Sequence, residues 1–261
     1  MIEREMDLKQ PENESEKDFW EEIYSRPIPE PKSTDGWQQV EIQDVDEQMI
    51  SLSEHGGPRI VVRPAYYEAG FCNGEEEQMV RESLFYALQK AANALPEGYK
   101  LVILDGWRSI ELQQEIYDRH YKSLLKAYPT LSPDELHELC QLFVSLPSDD
   151  EARPSPHYTG SAVDVTIQDE KGNLLWMGSE FDSFTEKDAI DYFENPWLTL
   201  SEHDKLAQRN RRLLYYVMVE VAGLIPNKEE WYHFDGWNQR AAKIRGGVAI
   251  HGTPMMYNNH P

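Results

Sequence analysis

The sequence has little cysteine and no long apolar stretch. Its two cysteines, Cys72 and Cys140, form no C-x-x-C pair, so the sequence predicts neither a disulfide framework nor a cysteine-based metal or redox site. No segment approaches the roughly 20 apolar residues that cross a bilayer, and the first residues lack the basic and apolar parts of a signal peptide. We therefore expect a soluble protein of a reducing compartment, the cytoplasm.

Basic residues are also scarce. Lysine and arginine together number 25 against 47 aspartates and glutamates, which gives a formal net charge of −22. A surface this acidic repels nucleic-acid phosphates and anionic lipid headgroups, so we expect neither a nucleic-acid partner nor a membrane partner. The 7 Trp, 14 Tyr and 8 Phe can nevertheless bury large areas, which argues against disorder of the whole chain.

The composition changes near residue 40. Residues 1–40 are rich in Glu, Lys, Pro and Ser and offer few apolar anchors, so we interpret them as an acidic, partly ordered N-terminal extension. Residues 41–261 then form the domain that carries the chemistry. The sequence gives no prediction of the oligomeric state.

Periodic apolar residues and caps predict the helices. Apolar residues at helical spacing predict a helix over 80–95, and a Ser-Pro-Asp-Glu capping box at 132–135 predicts the start of another. Two further helices are expected, one from about 109 to Tyr128 and one from Ser201 to Leu224.

Five segments have the composition of strands, namely 47–53, 58–63, 99–104, 162–167 and 230–234. Helices segregate from these strands without β–α–β alternation. That order favours an α+β fold with a mainly antiparallel central sheet flanked by helices.

Two segments contain histidines in a setting that suits metal binding. In the first, His157 leaves a proline-restricted loop, Gly160 permits a tight turn, and Asp164 follows within a strand. Histidine nitrogen and aspartate oxygen are both ligands of Zn²⁺, and the glycine turn lets them converge on one cation. The second segment, Glu230-Trp-Tyr-His233, offers a third ligand in His233 and, in Glu230, a carboxylate that can act on metal-bound water.

The spacing of Glu230 and His233 sets a geometric condition. In a regular strand, residues three apart point to opposite faces of the sheet. A shared site therefore requires a bulge or a strand end at Trp231–Tyr232. From the residues alone, a packed or surface histidine and a polar edge-strand aspartate stay open as alternatives to a metal site.

Three motifs together resemble those of the VanX-type D-alanyl-D-alanine dipeptidases. They are D-G-W-R-S, S-P-H-Y-T-G-S-A-V-D-V-T and E-W-Y-H, in that order along the chain. The family belongs to the superfamily of LAS-type zinc peptidases, which includes D,D-carboxypeptidases and the hedgehog signalling domain. The resemblance runs from about Tyr66 to His233. It implies a hedgehog-like or D,D-peptidase-like fold and one zinc ion per chain.

The resemblance also implies roles for single residues. His157, Asp164 and His233 match the family's zinc ligands, and Glu230 matches its catalytic base and later acid. Arg108, in D-G-W-R, resembles the arginine that polarises the scissile carbonyl and stabilises the tetrahedral intermediate, a role that suits a permanently charged guanidinium. The alternative for Arg108 is a surface arginine at a helix start.

Two further matches concern the substrate. Asp182, in M-G-S-E-F-D, resembles the aspartate that meets the free ammonium of a dipeptide, with helix N-capping as the alternative. Ser155 resembles the serine that meets the substrate's carboxylate, although serine before proline is also common in loops. Tyr66 and Tyr67 lie where the family has a tyrosine near its site, and the sequence does not decide between them.

The function that this resemblance implies is hydrolysis of a small dipeptide, D-alanyl-D-alanine first of all. The alternatives are a peptidoglycan D,D-carboxypeptidase or endopeptidase of the same superfamily, a zinc-binding interaction module without catalysis, and a non-haem iron oxygenase. The oxygenase usually has its His and Asp two residues apart rather than seven. The N-terminal extension and a helix-rich insertion around 120–150 go beyond the family's minimal form. They could narrow the site, build an oligomer or recognise a different dipeptide.

Overall fold

In the computed structural model, which describes residues 14–141, 143–148 and 150–254, the strands form two sheets. The strands are β1 (Met49–Ser51), β2 (Ile60–Val62), β3 (Met79–Arg81), β4 (Lys100–Asp105), β5 (Ala162–Gln168), β6 (Ile225–Pro226) and β7 (His233–Asp235). The central sheet has five strands in the order β2–β4–β5–β7–β6, and β1 pairs with β3 beside it. Strands β2 and β4 run parallel, and the other pairs are antiparallel.

The helices form two groups around the sheet. They are α1 (Glu14–Ser25), α2 (Leu52–His55), α3 (Ala65–Glu68), α4 (Glu82–Ala94), α5 (Ile110–Ala127), α6 (Pro133–Gln141), α7 (Glu202–Tyr215) and α8 (Gln239–Arg245). Helix α7 continues into a π-helical segment, Tyr216–Val221. Apolar residues of α4, α7 and the π-helical segment pack with the sheet in the main core. Helices α5 and α6 share a second, smaller cluster with Tyr66 of α3.

Strand alternation separates the core from the polar face of the sheet. In β5, Val163 and Val165 belong to the main core, so Asp164 between them points to the opposite face. In β7, Phe234 belongs to the core and His233 points the other way. Because Asp164 and His233 are register partners, their side chains lie next to each other on the polar face.

A left-handed glycine joins this face to the preceding turn. The 3₁₀ helix His157–Thr159 ends at Gly160, whose φ is 70°. A Cβ atom at this position would lie 2.6 Å from the side chain of Met49. The left-handed backbone conformation therefore favours glycine, as the tight turn predicted after His157 implies, whereas the flexible end of the Met49 side chain can move aside.

The predicted fold class is confirmed, with differences in detail. The strand predicted at 47–53 is wrong beyond Ser51, because residues 52–55 form α2. The capping box is present, since Ser132 Oγ accepts from the Glu135 N–H and Glu135 Oε2 accepts from the Ser132 N–H. Helix α4 begins at Glu82 rather than at residue 80, because residues 79–81 pair with β1. The expected absence of β–α–β alternation is wrong for β2 and β4, which run parallel with α4 in their crossover. The sheet is nevertheless mainly antiparallel.

The described part of the N-terminal segment packs against the rest of the chain. Helix α1 lies beside α7, where Arg212 Nη1 donates to the Tyr24 carbonyl at 2.8 Å. Trp20, Ile23 and Ile28 are buried in the same core cluster as α4. Residues 1–13 and 255–261 lie outside the described residues, and the boundary at residue 40 stays a prediction. Within the described ranges, no helix is long and apolar enough to cross a membrane.

Arg211 of α7 fastens the loop that carries Asp182. Its side chain is 1% exposed, and its Nε donates to the Met177 carbonyl at 2.6 Å. Its Nη1 and Nη2 donate to the carbonyls of Ala189 and Lys187. One buried cation therefore ties both ends of the segment 177–189 to α7.

Replacing Arg211 by methionine should lower the free energy of unfolding by about 3 kcal/mol or more, because three backbone carbonyls lose their donor. The matched control is Arg209→Met on the same helix. Arg209 is about half exposed and pairs with Glu21, so its loss should cost less than about 1 kcal/mol. Urea denaturation of both variants measures the difference, and equal losses would contradict the anchoring role of Arg211.

Candidate metal centre and active site

Three side chains converge on the polar face of the sheet. His157 comes from the 3₁₀ helix before β5, Asp164 from β5 and His233 from β7. Nε2 of His157 lies 3.0 Å from Nδ1 of His233. Oδ1 of Asp164 lies 3.0 Å from that Nδ1 and 3.4 Å from His157 Nε2. All three residues are buried, and they form a group that could hold a metal ion.

The triangle of these atoms fits a tetrahedral zinc ion. Ligand bonds of 2.0–2.1 Å in a tetrahedron place neighbouring ligand atoms about 3.3 Å apart. The three observed separations, 3.0, 3.0 and 3.4 Å, lie close to that value. Three protein ligands leave a fourth position for water or substrate, which is typical of catalytic zinc sites.

The outer nitrogens of the two imidazoles determine which nitrogen faces the centre. Nδ1 of His157 lies 2.8 Å from the Gly106 carbonyl, which can only accept, so Nε2 presents a lone pair inward. Nε2 of His233 lies 3.2 Å from Oδ1 of Asp235, which also accepts a hydrogen bond. In the neutral ring the lone pair is therefore on Nδ1, which faces the centre. Outer partners of this kind orient metal-ligating histidines.

In the metal-free protein a proton supplies the positive charge of the centre. Burial alone would lower the pKa of His233, but the carboxylates of Asp235 and Asp164 outweigh it and raise that pKa to about 10. Burial alone would raise the pKa of Asp164, but His157 and His233 hold it well below its usual range. The centre therefore favours a cation, and a metal ion would displace this proton on binding.

A turn brings Glu230 to the same centre. The N–H of His233 donates to the Glu230 carbonyl at 3.3 Å, and β7 begins only at His233. Oε2 of Glu230 consequently lies 3.7 Å from Nδ1 of His233. The irregularity required at Trp231–Tyr232 is present, as a turn that precedes the strand.

Glu230 lies in surroundings that suit a proton carrier. Burial raises the pKa of Glu230, and Asp164 acts in the same direction, while His233 and Arg240 oppose part of the rise. Its Oε2 accepts a hydrogen bond from Asn227 Nδ2 at 2.6 Å. A carboxylate with a raised pKa is better matched to accepting and returning a proton near neutral pH.

Arg108 is buried beside the candidate ligands, so the alternative of a surface arginine is wrong. It lies between the end of β4 and Ser109, whose hydroxyl caps α5. Its Nε donates to Asp105 Oδ2 at 2.8 Å and its Nη1 to Gln113 Oε1 at 2.8 Å. Its Nη2 lies 3.3 Å from Oδ2 of Asp164. The guanidinium is thus held in one orientation next to the metal centre.

Asp182 lies across the cavity from the histidines and is held by two tyrosines. The Tyr66 hydroxyl donates to its Oδ2 at 2.6 Å, and the Tyr232 hydroxyl donates to its Oδ1 at 2.9 Å. Burial raises the pKa of Asp182 to about 7. The following 3₁₀ helix is capped by Thr185, so the N-cap alternative for Asp182 is wrong.

The structure also decides between the two neighbouring tyrosines. Tyr66 is buried, and its hydroxyl lies between Asp182 and Arg108, 3.2 Å from the Nη2 of Arg108. Tyr67 is 47% exposed. Ser155 lines the same cavity two residues before His157.

All of these groups face one cavity of about 600 Å³. Lys32, Thr34 and Trp37 of the N-terminal segment form part of its wall. Phe143 and Ser145, in the loop after α6, form another part. The N-terminal extension and the insertion around 120–150 therefore both form part of the cavity wall. This position is compatible with the expectation that they narrow the site.

Several residues around the site were not singled out from the sequence. Asp105 opens the motif D-G-W-R, and Tyr232 lies inside E-W-Y-H. Asp235 follows His233 by two positions, which in a strand places both on one face. Each of these three residues lies within or next to a motif, which is a signal that could have identified it from the sequence. Gln113 and Asn227 carried none, because only the folded chain brings them to Arg108 and Glu230.

Comparison with known proteins identifies similar sequences. Residues 73–245 match a peptidase family model described as D-Ala-D-Ala dipeptidase. A D-alanyl-D-alanine dipeptidase of Synechocystis is 25% identical over 215 residues, which cover 77% of this chain and 86% of that protein. The D-alanyl-D-alanine dipeptidase of Escherichia coli is 37% identical over 81 residues, 31% of this chain and 37% of that protein.

Two solved structures also have some likeness to the chain. One is a variant of the vancomycin-resistance D,D-pentapeptidase VanY in complex with Zn(II), with a TM-score of 0.32, 19% identity, and coverage of 69% of this chain and 84% of that one. The other is VanYB in complex with D-alanine-D-alanine, with a TM-score of 0.33, 18% identity, and coverage of 73% and 87%. Both scores are low, so neither likeness supports a conclusion about the site.

The raised pKa of Asp182 predicts a pH-dependent contribution to the stability of the metal-free protein. The pKa of about 7 in the folded state lies above the ordinary value of 3.8, so folding disfavours ionisation. The contribution is fully present below about pH 4 and is lost as the pH rises through about 7. The free energy of unfolding of the wild type relative to Asp182→Asn should therefore fall over this range in urea denaturation with a chelator.

The control for this pH dependence is Asp169→Asn. Asp169 is an exposed turn residue whose pKa is lowered by hydrogen bonds from Asn173, so the wild type should not lose stability relative to this variant between about pH 4 and 7. A difference between wild type and Asp182→Asn that stays constant across the range would show that Asp182 ionises normally.

Proposed function

The chain belongs to the D-alanyl-D-alanine dipeptidase family of zinc metallopeptidases, and from this premise we propose that it hydrolyses a small dipeptide, D-alanyl-D-alanine first of all. The products are two free amino acids. The observation that supports the proposal most is the convergence of three candidate ligands with Glu230 and Arg108 around one cavity. One zinc ion per chain, held by His157, Asp164 and His233, is part of the proposal.

Zinc supplies Lewis-acid chemistry when bound, lowering the pKa of a water molecule and polarising the peptide carbonyl. Glu230 takes a proton from the attacking water and delivers it to the amide nitrogen of the leaving residue. Its hydrogen bond from Asn227 holds the carboxylate in place. The raised pKa of Glu230 makes it a stronger base than an exposed glutamate, so it accepts the proton of the water more readily.

Arg108 stabilises the negative charge that develops on the carbonyl oxygen. A guanidinium remains charged at any working pH and acts without reorganisation when its orientation is already set. Asp105 and Gln113 set that orientation. Arg108 is therefore the second group, after Glu230, that we assign to the chemical step.

The two ends of the dipeptide are assigned to Asp182 and Ser155. A carboxylate between two tyrosine hydroxyls is a good partner for a free ammonium group, because the tyrosines orient its oxygens. Ser155 lines the cavity close to His157 and can donate to the substrate's carboxylate. A requirement for a free ammonium group on the substrate distinguishes a dipeptidase from an enzyme that cleaves long peptides of the cell wall.

The alternative functions have less support. A peptidoglycan carboxypeptidase or endopeptidase has no use for an ammonium anchor such as Asp182. A zinc-binding module without catalysis needs neither Glu230 nor Arg108 in the cavity. A cytoplasmic location remains part of the proposal, because free dipeptide is a substrate that such an enzyme would meet there.

Three substrates test the proposal with zinc-loaded protein: D-Ala-D-Ala, L-Ala-L-Ala and N-acetyl-D-Ala-D-Ala. We expect hydrolysis of D-Ala-D-Ala, with kcat/KM for the acetylated form lower by about 100-fold or more, because the half-buried carboxylate of Asp182 loses its ion-pair partner. Release of free alanine is the measurement, and L-Ala-L-Ala reports the stereochemical preference. If no dipeptide is cleaved, the proposed function is wrong. If the acetylated form is cleaved equally well, Asp182 is not an ammonium anchor.

Glu230→Gln should lower kcat by about 100- to 10,000-fold, because the variant cannot accept a proton from water. Zinc content, measured by atomic absorption, should stay near one ion per chain. His157→Ala should instead lose the zinc. The matched control, Glu229→Gln, removes the neighbouring carboxylate and should keep most of the activity. Loss of zinc from Glu230→Gln would mean that Glu230 is a ligand rather than the base.

A further inference from the structure

We propose that Arg240 of α8 is a positioning residue that holds Glu230 and His233 relative to each other through two arms, Asn227 and Asp235. The inference rests on the proposed function, since it concerns the glutamate and one of the histidines assigned there. It goes beyond that function because no step of the proposed chemistry uses Arg240, which links the hydrogen bonds that hold Glu230 and His233.

The first arm runs from Arg240 to Glu230. Arg240 Nη2 donates to Asn227 Oδ1 at 2.6 Å, and Asn227 Nδ2 donates to Glu230 Oε2 at 2.6 Å. An arginine can only donate and a carboxylate can only accept. The carboxamide of Asn227 can link the two groups, because its oxygen accepts from the arginine and its nitrogen donates to the carboxylate.

The second arm runs from Arg240 to His233. Arg240 Nε lies 3.1 Å from Asp235 Oδ2 as an ion pair without hydrogen-bond geometry, and Asp235 Oδ1 lies 3.2 Å from His233 Nε2. Asp235 is fully buried, so its charge needs this partner. Asn238, the N-cap of α8, donates to the same Oδ1 at 2.6 Å. This hydrogen bond fixes the start of α8 next to the Asp235 carboxylate.

The two arms close a ring around an irregular piece of backbone. Glu230 and His233 are separated by the turn at Trp231–Tyr232, so regular sheet geometry does not determine where Glu230 stands relative to His233. The Asn227 N–H also donates to the His233 carbonyl at 3.0 Å, which brings the first arm back to β7. Arg240 is the one group that both arms share.

The competing explanation is that Arg240 only stabilises the fold. Arg245 is an example of an arginine with such a purely structural role. Arg245 lies on the same helix and donates to the backbone carbonyls of Gly236 and Gly223. It fastens α8 through these two carbonyls, and its charge acts on Asp235 only at longer range. Arg245→Gln is therefore the matched control for Arg240→Gln, with the same substitution on the same helix.

The experiment measures kcat and KM for D-Ala-D-Ala on zinc-saturated protein, zinc affinity by competition with a chromophoric chelator, and the melting temperature. Arg240→Gln should lower kcat about 10- to 100-fold and weaken zinc binding about tenfold or more, as loss of an outer partner does. Arg240 also lines the cavity, but the KM of Arg240→Gln should change by less than about threefold, because Asp182 and Ser155, the residues we assign to the ends of the substrate, are unchanged. Arg245→Gln should lower the melting temperature and leave kcat and zinc affinity unchanged.

Single-arm variants separate the two effects. Asn227→Ala should lower kcat and keep the zinc affinity, whereas Asp235→Asn should weaken zinc binding. Arg240→Lys keeps a charge beside Asp235 but lacks the branched guanidinium that also reaches Asn227. Compared with Arg240→Gln, it should therefore restore zinc affinity more than it restores kcat.

Two results would overturn the inference. One is equal behaviour of Arg240→Gln and Arg245→Gln in all three measurements. The other is an Asn227→Ala variant that weakens zinc binding as much as Asp235→Asn does. A wild type that binds zinc but cleaves no dipeptide would instead refute the proposed function, and the zinc affinities would still decide the Asp235 arm.

Discussion

The antiparallel pairing of β5 with β7 places Asp164 opposite His233, and the 3₁₀ helix before β5 adds His157 to the same face. Two imidazole nitrogens and a carboxylate oxygen then lie 3.0–3.4 Å apart. Lone pairs at that distance repel one another unless a proton or a metal ion lies between them. The pairing of the two strands fixes the positions of Asp164 and His233, and the protonated His233 supplies the positive charge when no metal is bound.

The surroundings of this centre follow from the cost of burying charge. An isolated buried ion is expensive, and a buried ion with a partner is much less so. Arg108 accordingly lies between Asp105 and Asp164, and Asp235 has Arg240 beside it. In a chain of net charge −22, these arginines put positive charge where the carboxylates are densest. The same pairing holds the side chains in fixed orientations, which the chemistry needs.

Parts of the chain far from the centre decide its shape. The described part of the N-terminal segment reaches the cavity wall through residues such as Trp37, although its helix α1 packs on α7. The loop after α6 reaches the opposite part of the wall and is tied to α5, where Gln113 Nε2 donates to the Ser145 carbonyl at 2.8 Å. The cavity is therefore bounded in part by the two segments that go beyond the minimal form of the family.

Local patterns predicted four helices, α4 to α7, most strands, and the pairing of His157 with Asp164, which a single glycine turn joins; they did not predict α1, α2, α3 or α8. They also showed that Glu230 and His233 need an irregular backbone to meet. The parallel partner of β2, the choice of Tyr66 over Tyr67, and the contacts of Gln113 and Asn227 were not predictable in this way. The sequence by itself determined which residues can bind a cation and carry a proton. Only the tertiary structure decided which of them meet and what surrounds them, because distances between side chains on separate strands and helices depend on pairing register and packing, which no local pattern specifies.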